Sequence, residues 1–458
     1  MPRLAAATPV REEQPRGDIS TDLSRLLRLA GPVVVSRLGI MAMGLTDAIV
    51  VGRYSAEQLG FHALGWAPTS VILTVVVGLL TGVQVMTARV IGEGRRHLAG
   101  AVLRRGIVYS LWMGVLAALV LVVGGPPFLH AVGLDPKLAD GATGPLLVFS
   151  LSLPFHAAST ATTFWLEALS KPKPAMWMMW IANIANLAID LLLVPGTFGL
   201  PAMGAVGGAW STCICRMLLT AMSLIYIARL PEARGLGVFD KPQRDRPMEI
   251  EQRRVGYGAG ASNFFEVAAF ASMNILAGWI GGLAVAAWAV VLNVAAIIFM
   301  VPLGLSTATA VLVGSAYGAR DPHGVNRAAV VAFAVTAAFG VLVTLALWPS
   351  ARLIVSGYTG DPRAIALAVP ALLISCFFLI PDALQVVAAN ALRARGDVLL
   401  PSITHMISYV VVMMPLAWLF AIPMGYGLNG IVYGVIIASF LSAGLLLWRL
   451  WTLGRRGL

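Results

Sequence analysis

Long apolar stretches recur along the whole chain, and they constrain its fold more than any other feature. Each is long enough to cross a bilayer as a helix, which takes about 20 residues. With 59% hydrophobic and 12% charged residues and a mean hydropathy of +0.84, the 458-residue chain has more apolar surface than a soluble core could bury. We therefore predict an all-α membrane protein with twelve transmembrane helices, at approximately 26–51, 59–88, 103–124, 143–168, 174–194, 203–228, 255–280, 284–313, 326–349, 365–392, 399–421 and 428–450.

The basic residues are unevenly distributed among the predicted loops. Lys and Arg accumulate in the cytoplasmic loops of membrane proteins, and most of the 32 in this chain lie in the termini or after the even-numbered spans. We therefore expect a multi-pass protein of the cell (inner) membrane with both termini cytoplasmic. The net charge of +11 is then a topology signal that also favours contact with anionic membrane lipids, and we expect no nucleic-acid partner.

Two internal repeats divide the chain into halves. Residues 90–110 resemble 313–334, and residues 198–209 resemble 420–432. Because each half holds an even number of spans, the halves enter the membrane in the same sense, and a pseudo-two-fold axis along the membrane normal should relate them. In chain order we predict a cytoplasmic N-terminal tail (1–24), an N-lobe (25–228), a cytoplasmic linker (229–254), a C-lobe (255–451) and a cytoplasmic C-terminal tail (452–458).

Four carboxylates lie well inside apolar spans, namely Asp47, Asp190, Glu266 and Asp382. An ionisable side chain in hydrocarbon costs about 3 kcal/mol or more, so such a residue indicates a transport pathway or a coupling site. The alternative is structural pairing with Arg37 or Arg216, the two basic residues inside spans, but two cations cannot neutralise four acids. Glu167 lies at the inner edge of the fourth span, where we expect water and head groups to reach it.

Two local patterns support a site around these acids. Asn183, Asn186 and Asp190 follow i, i+3, i+7 spacing in the fifth span, so they project from one helix face and can share a ligand or a proton network. In the tenth span, Pro381 removes a backbone donor and frees the carbonyl of Phe377 beside the last acid. That carbonyl could serve as a cation ligand.

Five segments, in this order and spacing, carry a family resemblance: 43–52, 186–190, 264–270, 293–307 and 382–393. On these segments the chain resembles the multidrug and toxic compound extrusion (MATE) family, and most of all its NorM-type branch. The resemblance extends from residue 26 to residue 451. It implies a V-shaped pair of six-helix lobes that exports cationic, amphipathic compounds while sodium ions or protons flow inward.

The resemblance also implies roles for individual residues. Asp47, Asn186 and Asp190 match the N-lobe cation or proton site of the family, and Thr212 is expected to complete it. Because a buried carboxylate pair resists double ionisation, it can hold a proton, a metal cation or a cationic drug, and mutually exclusive occupancy would couple ion entry to export by alternating access. The first span contains Pro32, which we expect to be either a hinge or a static kink.

In the C-lobe, Glu266 and Asp382 match the acids that the NorM-type branch associates with sodium. This chain departs from the branch one turn before the last acid, where Phe378 stands in place of the usual Tyr and supplies a ring face without a hydroxyl. We expect no cofactor and no metal site apart from Na⁺ at these acids, with H⁺ as the alternative coupling ion. We expect small organic cations as substrates and a monomer as the functional unit.

Other classes of membrane protein remain as alternatives. A major-facilitator transporter also has two six-helix halves, but the loop at residues 88–96 lacks the Asp that this family places before its basic pair. A lipid-linked precursor flippase of the same superfamily would more often have fourteen spans and a cationic cavity. A membrane-embedded enzyme should gather catalytic residues at one membrane face, and the sequence shows no HExxH or GxSxG motif. We therefore predict that the protein is not an enzyme.

Overall fold

The computed structural model describes residues 19–131, 135–241 and 245–456, and all regular structure in these ranges is helical. The predicted tail up to residue 18, linker residues 242–244 and the last two residues lie outside the described ranges. The helices are α1 (Ile19–Tyr54), α2 (Ala56–Gly92), α3 (Ala99–Ala131), α4 (Pro136–Leu151), α5 (Leu153–Ala168), α6 (Pro172–Leu193), α7 (Gly204–Ala228), α8 (Arg246–Ile280), α9 (Gly282–Gly318), α10 (Pro322–Tyr358), α11 (Pro362–Ala394), α12 (Leu399–His405), α13 (Met414–Ala421) and α14 (Gly427–Arg456). A 3₁₀ turn (Arg96–Leu98) precedes α3, and a π-helical segment (Met406–Met413) joins α12 to α13.

Eleven helical segments of the described ranges are long and apolar enough to cross a membrane, and α4 with α5 makes a twelfth span that bends by 41°. The bend falls where Pro154, the second residue of α5, lacks a backbone N–H and displaces the preceding turn. The prediction of an all-α membrane protein with twelve spans is therefore confirmed.

Several helices extend beyond the predicted apolar spans. Residues 19–24 of the predicted N-terminal tail belong to α1, and α8 begins at Arg246, inside the predicted linker. The side chain of Asp245 caps α8 by accepting a 3.2 Å hydrogen bond from the backbone N–H of Met248. Hydropathy identifies only the apolar part of a helix. It therefore does not predict the polar turns that continue a helix beyond the bilayer.

The first and last helices meet on one face of the bundle, which we call the terminal face. Near the start of α1, Asp22 pairs with Arg327 of α10. Near the end of α14, Gly454 packs against Asn326, the neighbouring residue on α10. The chain therefore begins and ends its described course on the same side.

The helices form two lobes, α1–α7 and α8–α14, that join in the half of the molecule nearer the terminal face. The buried apolar clusters shared by both lobes lie there; one of them joins Leu26 and Leu29 of α1 to Leu305 and Ala308 of α9. The shared interface continues along α2 and α8, where Asn263 donates a 3.1 Å hydrogen bond to the carbonyl of Thr74. The clusters that lie further from the terminal face each belong to a single lobe.

Glycines allow this close approach of the lobes. A Cβ atom added to Gly82 of α2 would overlap the carbonyl oxygen of Gln252 on α8, and one added to Gly256 of α8 would overlap the carbonyl oxygen of Leu79. Backbones can approach this closely only where side chains are absent, as in other membrane helix pairs. The two lobes are therefore in direct backbone contact at this face.

Candidate coupling sites in the two lobes

The N-lobe site is centred on the carboxylate of Asp47, which is 3% exposed on α1. One carboxylate oxygen accepts a 2.8 Å hydrogen bond from the Asn186 amide of α6. The other accepts a 2.5 Å hydrogen bond from the Thr212 hydroxyl of α7. Three helices distant in sequence thus bring together three of the predicted site residues.

Ser211 completes the hydrogen bonding of this cluster and was not predicted from the sequence. Its hydroxyl accepts a 2.9 Å hydrogen bond from the Asn186 amide and donates a 3.0 Å hydrogen bond to the Asn186 backbone carbonyl. These bonds fix the amide with its nitrogen toward Asp47. The Asn186 side-chain oxygen therefore has no hydrogen-bond partner among the described residues.

Asp190 lies one turn further along α6 and is fully buried. Within the described ranges, neither of its carboxylate oxygens has a partner in ordinary hydrogen-bond geometry, but Asp190 lies close enough to Asp47 and Ser211 to interact with both side chains. The cluster thus combines a hydrogen-bonded carboxylate with three oxygen atoms that have no donor, two from Asp190 and one from Asn186. Buried oxygens of this kind need a proton or a cation for stability.

His62 of α2 is the base nearest to this cluster. Its Nε2 lies 4.0 Å from Asp47, and its ring packs edge-on against Phe149 at a centroid distance of 5.2 Å. His62 is the only ionisable residue in the first half of the predicted span 59–88, a signal that could have identified it from the sequence. Asn183, which shares the helix face of Asn186, instead donates a 2.9 Å hydrogen bond to the carbonyl of Met179.

Neither embedded arginine forms an ion pair with these acids, although Arg216 interacts electrostatically with Asp47. Arg216 donates a 2.5 Å hydrogen bond to Ser152 and lies over the ring of Trp66 at 5.5 Å. Arg37 pairs with Glu167 at 3.4 Å, and no ion pair in the described ranges joins either arginine to one of the four acids inside the spans. The alternative of structural pairing therefore does not account for those acids.

The prediction that water reaches Glu167 was wrong. Its side chain is 2% exposed, and the Gln84 amide donates a 3.0 Å hydrogen bond to the oxygen that Arg37 does not contact. Arg37 also lies 5.5 Å from the ring of Phe164. The position of Glu167 near the end of its span indicated exposure, but the side chain turns into the lobe, where α1 and α2 supply its partners.

The C-lobe site contains Glu266 of α8 and Asp382 of α11, which interact electrostatically with each other. Asp382 is 8% exposed, and the hydroxyl of Tyr409 donates a 3.4 Å hydrogen bond to it. Phe378 is buried one turn before Asp382, so it offers a ring and no hydroxyl at that position. The hydroxyl missing from Phe378 is thus supplied by Tyr409, from the π-helical segment of the neighbouring span.

Further polar groups near the C-lobe acids were not predicted. Gln385 lies on the same face of α11 as Asp382, and His405 contacts the ring of Tyr409 at a centroid distance of 5.6 Å. Both are buried, and among the described residues neither has a side-chain partner in ordinary hydrogen-bond geometry, although Gln385 lies close enough to interact with the Asp382 carboxylate. They stand out in the sequence as polar residues inside apolar spans. The widened turn of the π-helical segment, a feature frequent at functional sites, lies beside them.

A multidentate metal cage is not part of either site. Among the residues that the structure describes, no group of three or more His, Cys, Asp or Glu side chains could hold a metal ion. Cys213, Cys215 and Cys376 are buried and free. The sites are instead small clusters of carboxylate, amide and hydroxyl oxygens, a donor set that suits a proton or a hard monovalent cation.

Two lobes of six spans, joined at one face and each enclosing a carboxylate pair, are the architecture of a membrane transporter. The sequence model of the MatE family matches residues 32–192 and 259–419, one segment in each lobe, and the chain belongs to this family. It is 63% identical to the probable multidrug resistance protein NorM of Caulobacter vibrioides over 98% of this chain and 95% of that protein. It is 28% identical to the multidrug resistance protein NorM of Vibrio cholerae over 88% of this chain and 87% of that protein.

A solved structure has the same fold. It is described as the outward-facing conformation of a multidrug resistance MATE family transporter, and it aligns with a TM-score of 0.85 at 20% identity over 96% of both chains. The predicted family, its NorM-type branch and the two-lobe fold are thereby confirmed. The protein is a transporter and not an enzyme, so the alternative of a membrane-embedded enzyme is excluded.

Proposed function

We propose that the protein is a secondary active antiporter of the cell (inner) membrane that exports cationic, amphipathic compounds in exchange for inward H⁺ or Na⁺. The observation that carries this proposal is the buried, partnerless carboxylate of Asp190 beside the hydrogen-bonded carboxylate of Asp47. A second negative charge there is unfavourable in a low-dielectric interior. A proton or sodium ion relieves this cost, and so does a cationic drug that reaches the pair.

The C-lobe pair of Glu266 and Asp382 offers a second place for the same exchange. With Tyr409 donating to Asp382, the ionised acid has one hydroxyl donor, and that hydroxyl can turn its oxygen toward a bound sodium ion. The coupling ion therefore has a candidate site in each lobe. Exchange of substrate for ion then requires only that the two compete for the same carboxylates.

The orientation of the chain gives the direction of transport. The basic loops indicate that the terminal face is cytoplasmic, with both termini inside. The lobes meet at that face, so the conformation is closed to the cytoplasm. Alternating access then requires the lobes to separate at the terminal face, and Pro32 of α1, inside the helix that packs on α9, is the proposed hinge.

Efflux from proteoliposomes under separately imposed gradients tests the proposal. We expect an inward-directed proton or sodium gradient to drive export of a fluorescent organic cation by the wild-type protein. Asp47→Asn and Asp382→Asn should each lower the gradient-driven rate, and the ion that drives the wild type identifies the coupling ion. Equal export by both variants and the wild type would reject the coupling proposal.

The flippase alternative predicts a different cargo. A lipid-linked precursor carries anionic phosphates, which cationic side chains recognise. Both candidate sites of this chain instead contain paired carboxylates, which repel an anionic head group. Translocation of a lipid-linked anionic substrate by the same proteoliposomes, without efflux of organic cations, would favour the flippase.

A further inference from the structure

Arg89 of α2 connects the N-lobe to three helices of the C-lobe. Its Nε donates a 3.0 Å hydrogen bond to the carbonyl of Ala394, and its Nη2 donates a 3.1 Å hydrogen bond to the carbonyl of Arg393, at the C-terminal end of α11. Its Nη1 donates a 3.2 Å hydrogen bond to Glu251 of α8. The guanidinium also lies 5.1 Å from the ring centroid of Tyr317 on α9. One buried side chain thus contacts α8, α9 and α11 across the lobe interface.

These contacts suit a guanidinium better than any other side chain. The last carbonyls of a helix have no intrahelical partners and carry the negative end of the helix dipole, so a cation with several donors stabilises them. The planar fork of Arg can reach two carbonyls and a carboxylate together, whereas a Lys ammonium acts as a point charge. Glycines bring the backbones close enough for this, because a Cβ atom at Gly318 of α9 would overlap the carbonyl oxygen of Arg89.

Arg393 links this contact to the C-lobe acids. Its carbonyl is held by Arg89, while its side chain is buried and interacts electrostatically with Glu266. Side chains of a helix lean toward its N-terminus, which for Arg393 is the direction of Asp382, about 16 Å away along the α11 axis. Its Nη1 donates a 3.2 Å hydrogen bond to Asn390, and its Nε and Nη2 have no partner among the described residues.

We propose that Arg89 and Arg393 form a latch between the lobes, and that the charge on Glu266 and Asp382 determines whether the latch stays closed. The inference rests on the proposed function, because it takes these acids as a binding site for the coupling cation. When both acids are ionised, they attract the Arg393 guanidinium away from Arg89. The carbonyls at the end of α11 then remain available to Arg89.

Cation binding reverses this balance. Once a proton or sodium ion neutralises the acids, the Arg393 guanidinium loses its counter-charge in a buried environment, which is strongly unfavourable. The route to water leads toward the terminal face, where Arg89 carries the same charge. The approach of the two guanidinium groups weakens the hydrogen bonds from Arg89 to the carbonyls of α11. The lobes then separate at the terminal face, through which the ion must leave.

Three other charged or basic groups close to this contact make their interactions within the C-lobe. Arg449 donates a 2.7 Å hydrogen bond to Asp397, and both belong to the C-lobe. Arg254 lies 3.9 Å from Glu251 on the same helix. His405, which faces Arg393 from α12, also stays within the C-lobe. Separation of the lobes leaves these interactions intact, whereas the hydrogen bonds of Arg89 must break, as must the ion pair between Asp22 of α1 and Arg327 of α10.

Distance measurements between spin labels test the latch. Lys173 at the start of α6 and His323 at the start of α10 are exposed, lie in different lobes and can be replaced by labelled cysteines while the buried native cysteines remain. Distances are recorded for the full-length protein without sodium at high pH, and again with saturating sodium or at low pH. We expect the wild type to show one short distance without sodium at high pH. With saturating sodium or at low pH, we expect an additional, longer distance.

The variants separate the two parts of the proposal. Arg89→Met should raise the long-distance population about tenfold without added cations, because several charge-assisted hydrogen bonds are lost. Glu251→Gln should act in the same direction with a smaller effect, and it keeps the proposal testable if Arg89→Met folds poorly. Arg393→Met should abolish the response to cations, whereas Arg393→Lys, which keeps the charge, should restore part of it.

Arg95→Met is the matched control, since Arg95 follows shortly after the end of α2, which carries Arg89, but pairs with Glu93 of its own lobe. It should behave as the wild type. If Arg89→Met shows the wild-type distances in both conditions, the latch is overturned. If Arg393→Met responds fully to cations, or if the wild-type protein does not respond to them, then control of the latch by Glu266 and Asp382 is overturned. Failure of the proposed function is a separate result, because it is the absence of gradient-driven efflux in the wild-type protein.

Discussion

The hydroxyl of Tyr409 lies 3.4 Å from a carboxylate oxygen of Asp382, across the interface between α11 and the π-helical segment of the next span. Tyr409 is fully buried, and its ring also packs at a centroid distance of 6.2 Å from Phe270 of α8. The hydroxyl beside Asp382 thus comes from a different helix than the one that carries the acid. Phe378 and Tyr409 together provide a ring and a hydroxyl around one carboxylate.

Replacing Tyr409 by Phe tests whether the hydroxyl beside Asp382 contributes to cation binding. Loss of the hydroxyl oxygen as a ligand should weaken sodium binding in the C-lobe by about threefold to tenfold, corresponding to about 1 kcal/mol. Proton binding should instead become stronger, because the hydroxyl stabilises the ionised carboxylate. The second substitution Phe378→Tyr, made in the Tyr409→Phe background, should recover part of the affinity. Sodium or proton binding to purified protein, measured by calorimetry, provides the readout. Unchanged affinity in Tyr409→Phe would show that the hydroxyl takes no part in binding.

The two acids of the N-lobe should respond differently to removal of their charge. Asp47→Leu leaves the Asn186 amide and the Thr212 hydroxyl without their acceptor, so it should lower the free energy of unfolding by about 2 kcal/mol. Asp190→Leu breaks no hydrogen bond to a described side chain and should leave stability unchanged or raise it. Both should lose gradient-driven efflux.

Thermal unfolding in detergent and efflux from proteoliposomes, measured on the same preparations, check this pair. Thr212→Val is a useful intermediate variant, because it removes a single donor to Asp47. Its loss of stability should be smaller than that of Asp47→Leu. The interpretation of Asp190 as a coupling group fails if Asp190→Leu is destabilised as strongly as Asp47→Leu while its efflux persists.

The Arg37–Glu167 pair should be structural. Both side chains are buried, so Arg37→Met or Glu167→Gln alone leaves an uncompensated charge and should lower the free energy of unfolding by about 3 kcal/mol. The double variant should be less destabilised than the sum of the two single variants. Unfolding measurements on all four proteins give the coupling energy. The transport KM of each folded variant should match that of the wild type; a large change in KM would instead place the pair in the transport pathway.

The sequence predicted the membrane spans and the intramembrane acids because both depend on local composition. A stretch of about 20 apolar residues or a charge inside it is visible without knowledge of neighbours. The partners of those acids were not all visible, because they lie on helices far apart in the chain. Ser211 and Tyr409 are ordinary residues of apolar helices until folding places them beside Asn186 and Asp382.

The same limit explains the error at Glu167 and the absence of Arg89 from the predicted site. Glu167 lies near a span end, where composition indicates exposure, but Arg37 and Gln84 meet it inside the lobe. Arg89 reads in sequence as one of many basic residues in a cytoplasmic loop. Its hydrogen bonds reach the end of α11, which lies about 300 residues later in the chain, so they are not visible in the local sequence.

Backbone contact between the lobes makes Gly82 a sensitive position. A methyl group there would overlap the carbonyl oxygen of Gln252, and neither backbone can move without separating α2 from α8. Gly82→Ala should therefore destabilise the state that is closed at the terminal face by about 1–3 kcal/mol and lower its population relative to the open state by about fivefold or more. The distance between labels at Lys173 and His323 measures this shift directly.

Gly60 provides the control on the same helix, because a Cβ atom there meets no heavy atom within 4 Å. Gly60→Ala should leave the distance distribution as in the wild type, since a methyl group in open space changes only local helix propensity. Efflux should fall in Gly82→Ala alone, because a transporter that cannot close one face cannot complete alternating access. If Gly82→Ala keeps the short distance and the wild-type efflux rate, then the contact between α2 and α8 is not the interface that must close, and the gate lies elsewhere between the lobes.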